Sequence, residues 1–149
     1  MILGRAWWSW GSLGLVIAAV AIGVIFMHGN QLSSGWRWGV TIGFAVITIT
    51  IALLNDVAKV LPETDRGAVD YYTLAHFSAG LAFGAWFMPL WFVVVVTVGW
   101  EFYEKYVPGW GENEPFVNRA VDVGVALIGW LIVTGIASHG HPPLLWSAT

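Results

Sequence analysis

The chain has 149 residues, of which 58% are hydrophobic and only 10% charged, whereas a soluble domain carries about 25% charged residues. So little charge cannot clothe a water-facing surface. The net charge of −3, with its basic residues scattered, argues against nucleic-acid binding, which needs a basic stripe. The absence of cysteine excludes disulfides, thiolate nucleophiles, iron–sulfur clusters and cysteine zinc sites.

The apolar residues come in long runs, and the mean hydropathy is +0.73. Such runs mark helices solvated by lipid. The expected fold is therefore all-α: one polytopic transmembrane bundle over residues 1–149, with about five spans. Span one runs from about Trp7 to Met27, too long for the apolar core of a signal peptide and so read as a retained span. A polar turn from His28 to Gly35 follows. Span two covers about Trp36 to Leu54, with helix continuing toward Leu61, where Pro62 stops it. Asn55 to Asp70 carries Asp56, Lys59, Glu63, Asp65, Arg66 and Asp70, and reads as a water-exposed loop.

From Tyr71 to Val107 the chain is apolar throughout. As one helix it would measure about 55 Å, at about 1.5 Å per residue, against a hydrocarbon core of roughly 30 Å. Pro89 sits at its centre, where proline removes a donor and clashes with the preceding turn. The stretch therefore divides into two antiparallel spans, about Tyr72–Met88 and Leu90–Val107, joined at Met88-Pro89-Leu90. Pro108 to Pro115 forms a second polar loop. Its acidic, glycine-rich run Gly109 to Glu114 reads as an ordinary turn, with a lid over the cytoplasmic side as the other option. Span five covers about Val117 to Ala137. The tail from His139 to Thr149 includes His139 and His141, read as decoration of a chain end.

Five spans place Arg5, Lys59, Arg66, Lys105 and Arg119 on one side and Arg37 alone on the other. The positive-inside rule puts the richer side in the cytoplasm, with the N-terminus inside and the C-terminus outside. Trp7, Trp8, Trp10, Trp36, Trp38, Trp86, Trp91 and Trp100 fall at expected span ends, as interfacial anchors do. Gly80-Leu81-Ala82-Phe83-Gly84 is a small-residue pattern that lets helices approach closely, read here as span three packing inside the bundle.

Ionisable residues within spans are functional candidates, because polar groups in lipid cost several kcal/mol unless satisfied. His76, Glu101, Glu104 and Asp122 stand out, and Asn118 joins them. His76, Glu101 and Asp122 each lie about one turn from the expected cytoplasmic face, so the topology puts them in one layer. Glu101 and Glu104, spaced i,i+3, share a helix face, as do Asn118 and Asp122, spaced i,i+4. Three carboxylates held together need a cation or protons. His76, Glu101, Glu104 and Asp122 would thus hold a divalent metal such as magnesium, manganese, iron or zinc, with Asn118 supporting the bound group. The alternative is acid–base work, with Glu101, Asp122 and His76 as the catalytic proton-transfer set. The bland alternative treats each residue as structural: Glu104 snorkelling to the interface, His76 bonding between helices, and Asp122 paired with Arg119.

Trp100-Glu101-Phe102-Tyr103-Glu104, preceded by a helix bearing His76 and followed by a helix with Asp122 and Gly129, resembles the VanZ-like and YjdF-like small bacterial membrane proteins. The resemblance covers about Tyr71 to Trp130. In that group the aspartate is commonly followed by asparagine four residues on, a place held here by Ala126. It implies a membrane location and links to glycopeptide resistance and the cell envelope, and it supplies no reaction.

The function expected is that of a small protein of the prokaryotic cytoplasmic membrane. Its polar pocket at the inner leaflet would bind or act on a lipid or envelope precursor. The alternative is a non-enzymatic small subunit of a larger membrane complex. Partners are accordingly membrane lipids and other membrane subunits.

Overall fold

The computed structural model describes residues 32–58, 60, 67–106 and 114–137. Among the described residues the chain is helical throughout its regular structure, with no strand. Helix α1 is Ser34–Ala52, extended by a π-helical turn at Leu53–Val57. Helices α2 (Tyr71–Ala85), α3 (Leu90–Tyr106) and α4 (Phe116–Ala137) follow. They match expected spans two to five to within a few residues. Span one with Arg5, the first-loop residues Lys59, Pro62, Glu63, Asp65 and Arg66, the Pro108–Asn113 part of the second loop, and the tail with His139 and His141 lie outside the described residues.

Local chemistry explains the boundaries. Ser33 caps α1, its hydroxyl accepting from the Trp36 N–H at 3.4 Å. Asp70 and Thr73 form a reciprocal capping box at the start of α2. Helix α2 stops at Ala85, three residues before the expected Met88. Phe87 adopts φ 60° and the chain closes on itself there. The Phe87 N–H donates to Gly84 at 3.0 Å and the Met88 N–H to Phe83 at 3.1 Å. This pairing satisfies the last carbonyls of a helix and usually employs glycine at the left-handed position. Pro89 then opens α3, where its missing N–H costs nothing, and its carbonyl accepts from Phe92 and Val93.

Two segments, Ser34–Asn55 and Phe116–Ala137, are 22 residues long with mean hydropathies of 1.8 and 2.1, long and apolar enough to cross a membrane. Helices α2 and α3 have 15 and 17 residues. They rise about 23 and 26 Å, short of a core of roughly 30 Å. Length and apolarity by themselves therefore support two crossings, not five.

The bundle is organised around α2 and α4. A Cβ on Gly80 would overlap the Ala126 carbonyl, and one on Gly129 would meet the Phe77 oxygen at 2.5 Å. Gly84 likewise faces the Trp130 backbone. The glycine pattern is thus consumed by packing within the chain. At the α2–α3 turn, Trp86, Met88, Phe92, Val93 and Trp130 form a buried core. The Trp130 indole donates to the Met88 carbonyl at 2.7 Å, and the Trp86 indole to Thr41 Oγ1 at 2.7 Å. Trp38 meets Trp86 edge-on and Arg37 lies over its ring. Trp36, Trp38 and Trp91 are exposed, as anchoring residues would be. Trp86 departs from that expectation because, at 4% exposure, it fastens α1 to α2.

The outward faces reverse the pattern of a water-soluble protein. Ile42, Val46, Ile49 and Leu53 form an exposed row on α1, and Trp91, Val95, Val98, Phe102 and Tyr106 another on α3. Both rows follow the three-and-four spacing of a helix face.

Candidate metal centre

Thr41 lies near the start of α1 and bonds to Trp86 at the end of α2, so these helices run in opposite directions. The tight turn reverses the chain, and α3 packs against α4, which in turn packs against α2. As a result the start of α2, the end of α3 and the start of α4 meet at one end of the bundle. His76 is the sixth residue of α2, Glu101 the sixth from the end of α3, and Asp122 the seventh of α4. Equal depth from three helix ends brings them together.

His76 Nε2 lies 3.6 Å from Glu101 Oε1 and 3.8 Å from Asp122 Oδ2. One donor atom from each residue falls within 4.8 Å of the others. Glu101 is 5% exposed and Asp122 1%. Among the described residues, both oxygens of Glu101 and Oδ1 of Asp122 are buried without a hydrogen-bond partner. Buried polar atoms are nearly always paired, so orphaned carboxylate oxygens mark a place for a proton or a cation. An imidazole nitrogen and two carboxylate oxygens suit a borderline divalent ion such as zinc, iron or manganese.

Beside this group lies a second, formed by Glu101, Glu104 and Glu114, again with donor atoms within 4.8 Å. Glu104 is half-buried, and the Trp100 side chain bonds to it. Asn118 is fully buried. With its amide nitrogen turned toward the acids, it donates to Glu114 and to Asp122 Oδ2, the latter at 2.8 Å. It therefore links the two groups, as its expected supporting role requires. Arg119 pairs with Glu114 at 3.4 Å.

Sequence reading brought His76, Glu101, Glu104, Asp122 and Asn118 to the same place, and the structure assembles all five. Glu114 lies outside that set, because the acidic, glycine-rich run Gly109 to Glu114 reads as a turn. The signal was present: Glu114, Asn118 and Asp122 are spaced four apart, a single row that continues through Ala126, Trp130 and Thr134, all buried. Pro115 hid it by marking the end of a loop. The Pro115 carbonyl accepts from the Asn118 and Arg119 N–H groups, so the helical hydrogen bonds begin at Pro115, with Glu114 immediately before them.

Comparison with known protein families, curated proteins and solved structures returns no match.

Proposed function

We propose that this chain is a multi-pass protein of the prokaryotic cytoplasmic membrane whose buried His76–Glu101–Asp122 cluster binds a divalent metal ion at the inner leaflet, in the service of a lipid or envelope precursor. The observation that carries the reading is the convergence, from three separate helices, of one imidazole and two buried carboxylates, with both oxygens of Glu101 and Oδ1 of Asp122 lacking a hydrogen bond among the described residues. A cation relieves the repulsion between the acids and satisfies their lone pairs at once. The membrane setting is supported by two helices of spanning length and by the exposed apolar rows on α1 and α3. About five spans, with the N-terminus cytoplasmic and the C-terminus outside, follow from the distribution of lysine and arginine. Short helices such as α2 and α3 are accommodated by local thinning of the bilayer. The VanZ-like resemblance is consistent with this reading and names the same polar residues.

The test is equilibrium binding of Mn²⁺ and Zn²⁺ to detergent-purified protein, comparing wild type with His76→Ala and Glu101→Gln. Saturable binding in wild type, weakened at least tenfold in both variants, is the expected result. Equally negligible binding in all three removes the metal and leaves His76, Glu101 and Asp122 as a proton-transfer group.

A second reading, a small subunit of a larger membrane complex, is favoured by Gly39 and Gly43 on α1. Among the described residues, nothing lies within 4 Å of a Cβ built on either. Small residues spaced in this way admit a neighbouring helix at close range. Co-purification with a larger membrane protein at fixed stoichiometry, lost on Gly39→Leu and Gly43→Leu, would favour that reading.

A further inference from the structure

We propose that the cluster is built for two divalent cations that share Glu101 as a bridging carboxylate. This rests on the metal-binding reading above and adds the number of ions and the division of ligands between them.

Glu101 belongs to both donor groups, one with His76 and Asp122, the other with Glu104 and Glu114. Its two oxygens are both buried without a hydrogen bond. A carboxylate serving one ion through one oxygen would leave the other to be satisfied by the protein, and here neither is. Paired ions in such centres stand about 3.5–4 Å apart, within the span of a single carboxylate. The five residues also divide by chemistry. The first group supplies nitrogen and oxygen, and the second supplies oxygen alone, as harder ions prefer.

Charge points the same way. Glu101, Glu104, Glu114 and Asp122 stand against Arg119, which is paired with Glu114. A single divalent ion in the first group would leave Glu104 and Glu114 crowded against Glu101. Asn118 lies where a two-ion centre needs an organiser. It touches Glu114 of one group and Asp122 of the other, and is itself fully buried. Two orphaned acids, a shared residue and a linking amide together distinguish this arrangement from an ordinary acidic patch.

Manganese suits both donor sets and reports its own neighbours. Detergent-purified, full-length protein would be loaded with Mn²⁺, its stoichiometry measured by elemental analysis and its electron paramagnetic resonance spectrum recorded. The expected result is two Mn²⁺ per chain, with the spectrum of an exchange-coupled pair. Glu104→Gln and Glu114→Gln, which keep side-chain shape, should each reduce the count from two to one and restore the six-line signal of an isolated ion. Unchanged circular dichroism would verify that they fold. One Mn²⁺ per wild-type chain with an uncoupled spectrum overturns the bridge while leaving the single-metal reading standing. No bound Mn²⁺ overturns both. Two uncoupled ions, or two ions retained in Glu104→Gln and Glu114→Gln, overturn the shared Glu101.

Discussion

His76 Nε2 and Glu101 Oε1 face each other at 3.6 Å across the boundary between α2 and α3. That gap is too long for a good hydrogen bond. Two ligands bound to one ion at about 2.0–2.2 Å each stand roughly 3.0–3.6 Å apart, depending on geometry. The separation is one that two ligands of a single ion could take, and the predictions below test that reading.

Asp122→Asn should change stability in opposite directions with and without metal. In the metal-free protein it removes a buried charge whose Oδ1 has no partner, a penalty of about 1–3 kcal/mol. The metal-free variant should unfold at the same temperature as wild type or higher. Added Mn²⁺ or Zn²⁺ should raise the unfolding temperature of wild type and leave the variant nearly unmoved. Thermal unfolding in detergent, with and without metal, measures both effects, and an equal metal-induced rise would remove Asp122 from the ligand set.

Gly80→Ala should destabilise the bundle far more than Gly124→Ala. The first places a methyl group against the Ala126 carbonyl, and the second meets open space. Overpacking of this kind costs about 1–3 kcal/mol. Denaturant unfolding of the two variants is the comparison, and equal midpoints would mean that α2 and α4 are not in the contact described.

Trp130→Phe should weaken the fold without weakening metal binding. It removes the indole N–H that satisfies the buried Met88 carbonyl, a loss of about 1–3 kcal/mol. The site lies toward the opposite end of α4, so the variant that remains folded should bind Mn²⁺ with wild-type affinity. A large loss of affinity would show that the two ends of the bundle are coupled.

Thr41→Val should loosen α1 from α2 by about 1 kcal/mol, the usual net worth of one hydrogen bond. It deprives the Trp86 indole of its acceptor while keeping the side-chain shape. Faster proteolysis or hydrogen exchange in α1, with α2–α4 unchanged, is the expected pattern. Uniform protection across the helices would show that Trp86 does not fasten α1.

Much of this arrangement was legible in the sequence because two simple constraints converge. Helices joined by short connections alternate in direction, and a helix rise sets depth, so His76, Glu101 and Asp122 fall into one layer near three helix ends. Face assignment needed only the three- and four-residue spacings. Helix ends were read less well. Phe87 takes a backbone conformation normally left to glycine, and nothing in its side chain announces that α2 stops at Ala85. Glu114 was obscured by Pro115, although it begins the same row as Asn118 and Asp122. Trp86 reads as one more interfacial aromatic, because hydrophobicity alone cannot say whether an indole faces lipid or bonds to Thr41 on another helix.

The meeting of Gly80 with the Ala126 backbone has a consequence for which ions the bundle would accept. Ala126 is one turn beyond Asp122 on the row that carries Glu114 and Asn118, so the contact indexes three ligating or supporting positions against α2 like teeth on a ratchet. The donors cannot spread by sliding one helix along another without lifting backbone from backbone. Calcium asks for six to eight oxygens at about 2.3–2.6 Å and a yielding cage, whereas magnesium sits near 2.0–2.1 Å. If the cluster binds metal as proposed, this contact holds His76 and Asp122 at a fixed spacing, and Mn²⁺ should raise the unfolding temperature more than Ca²⁺ at equal concentration.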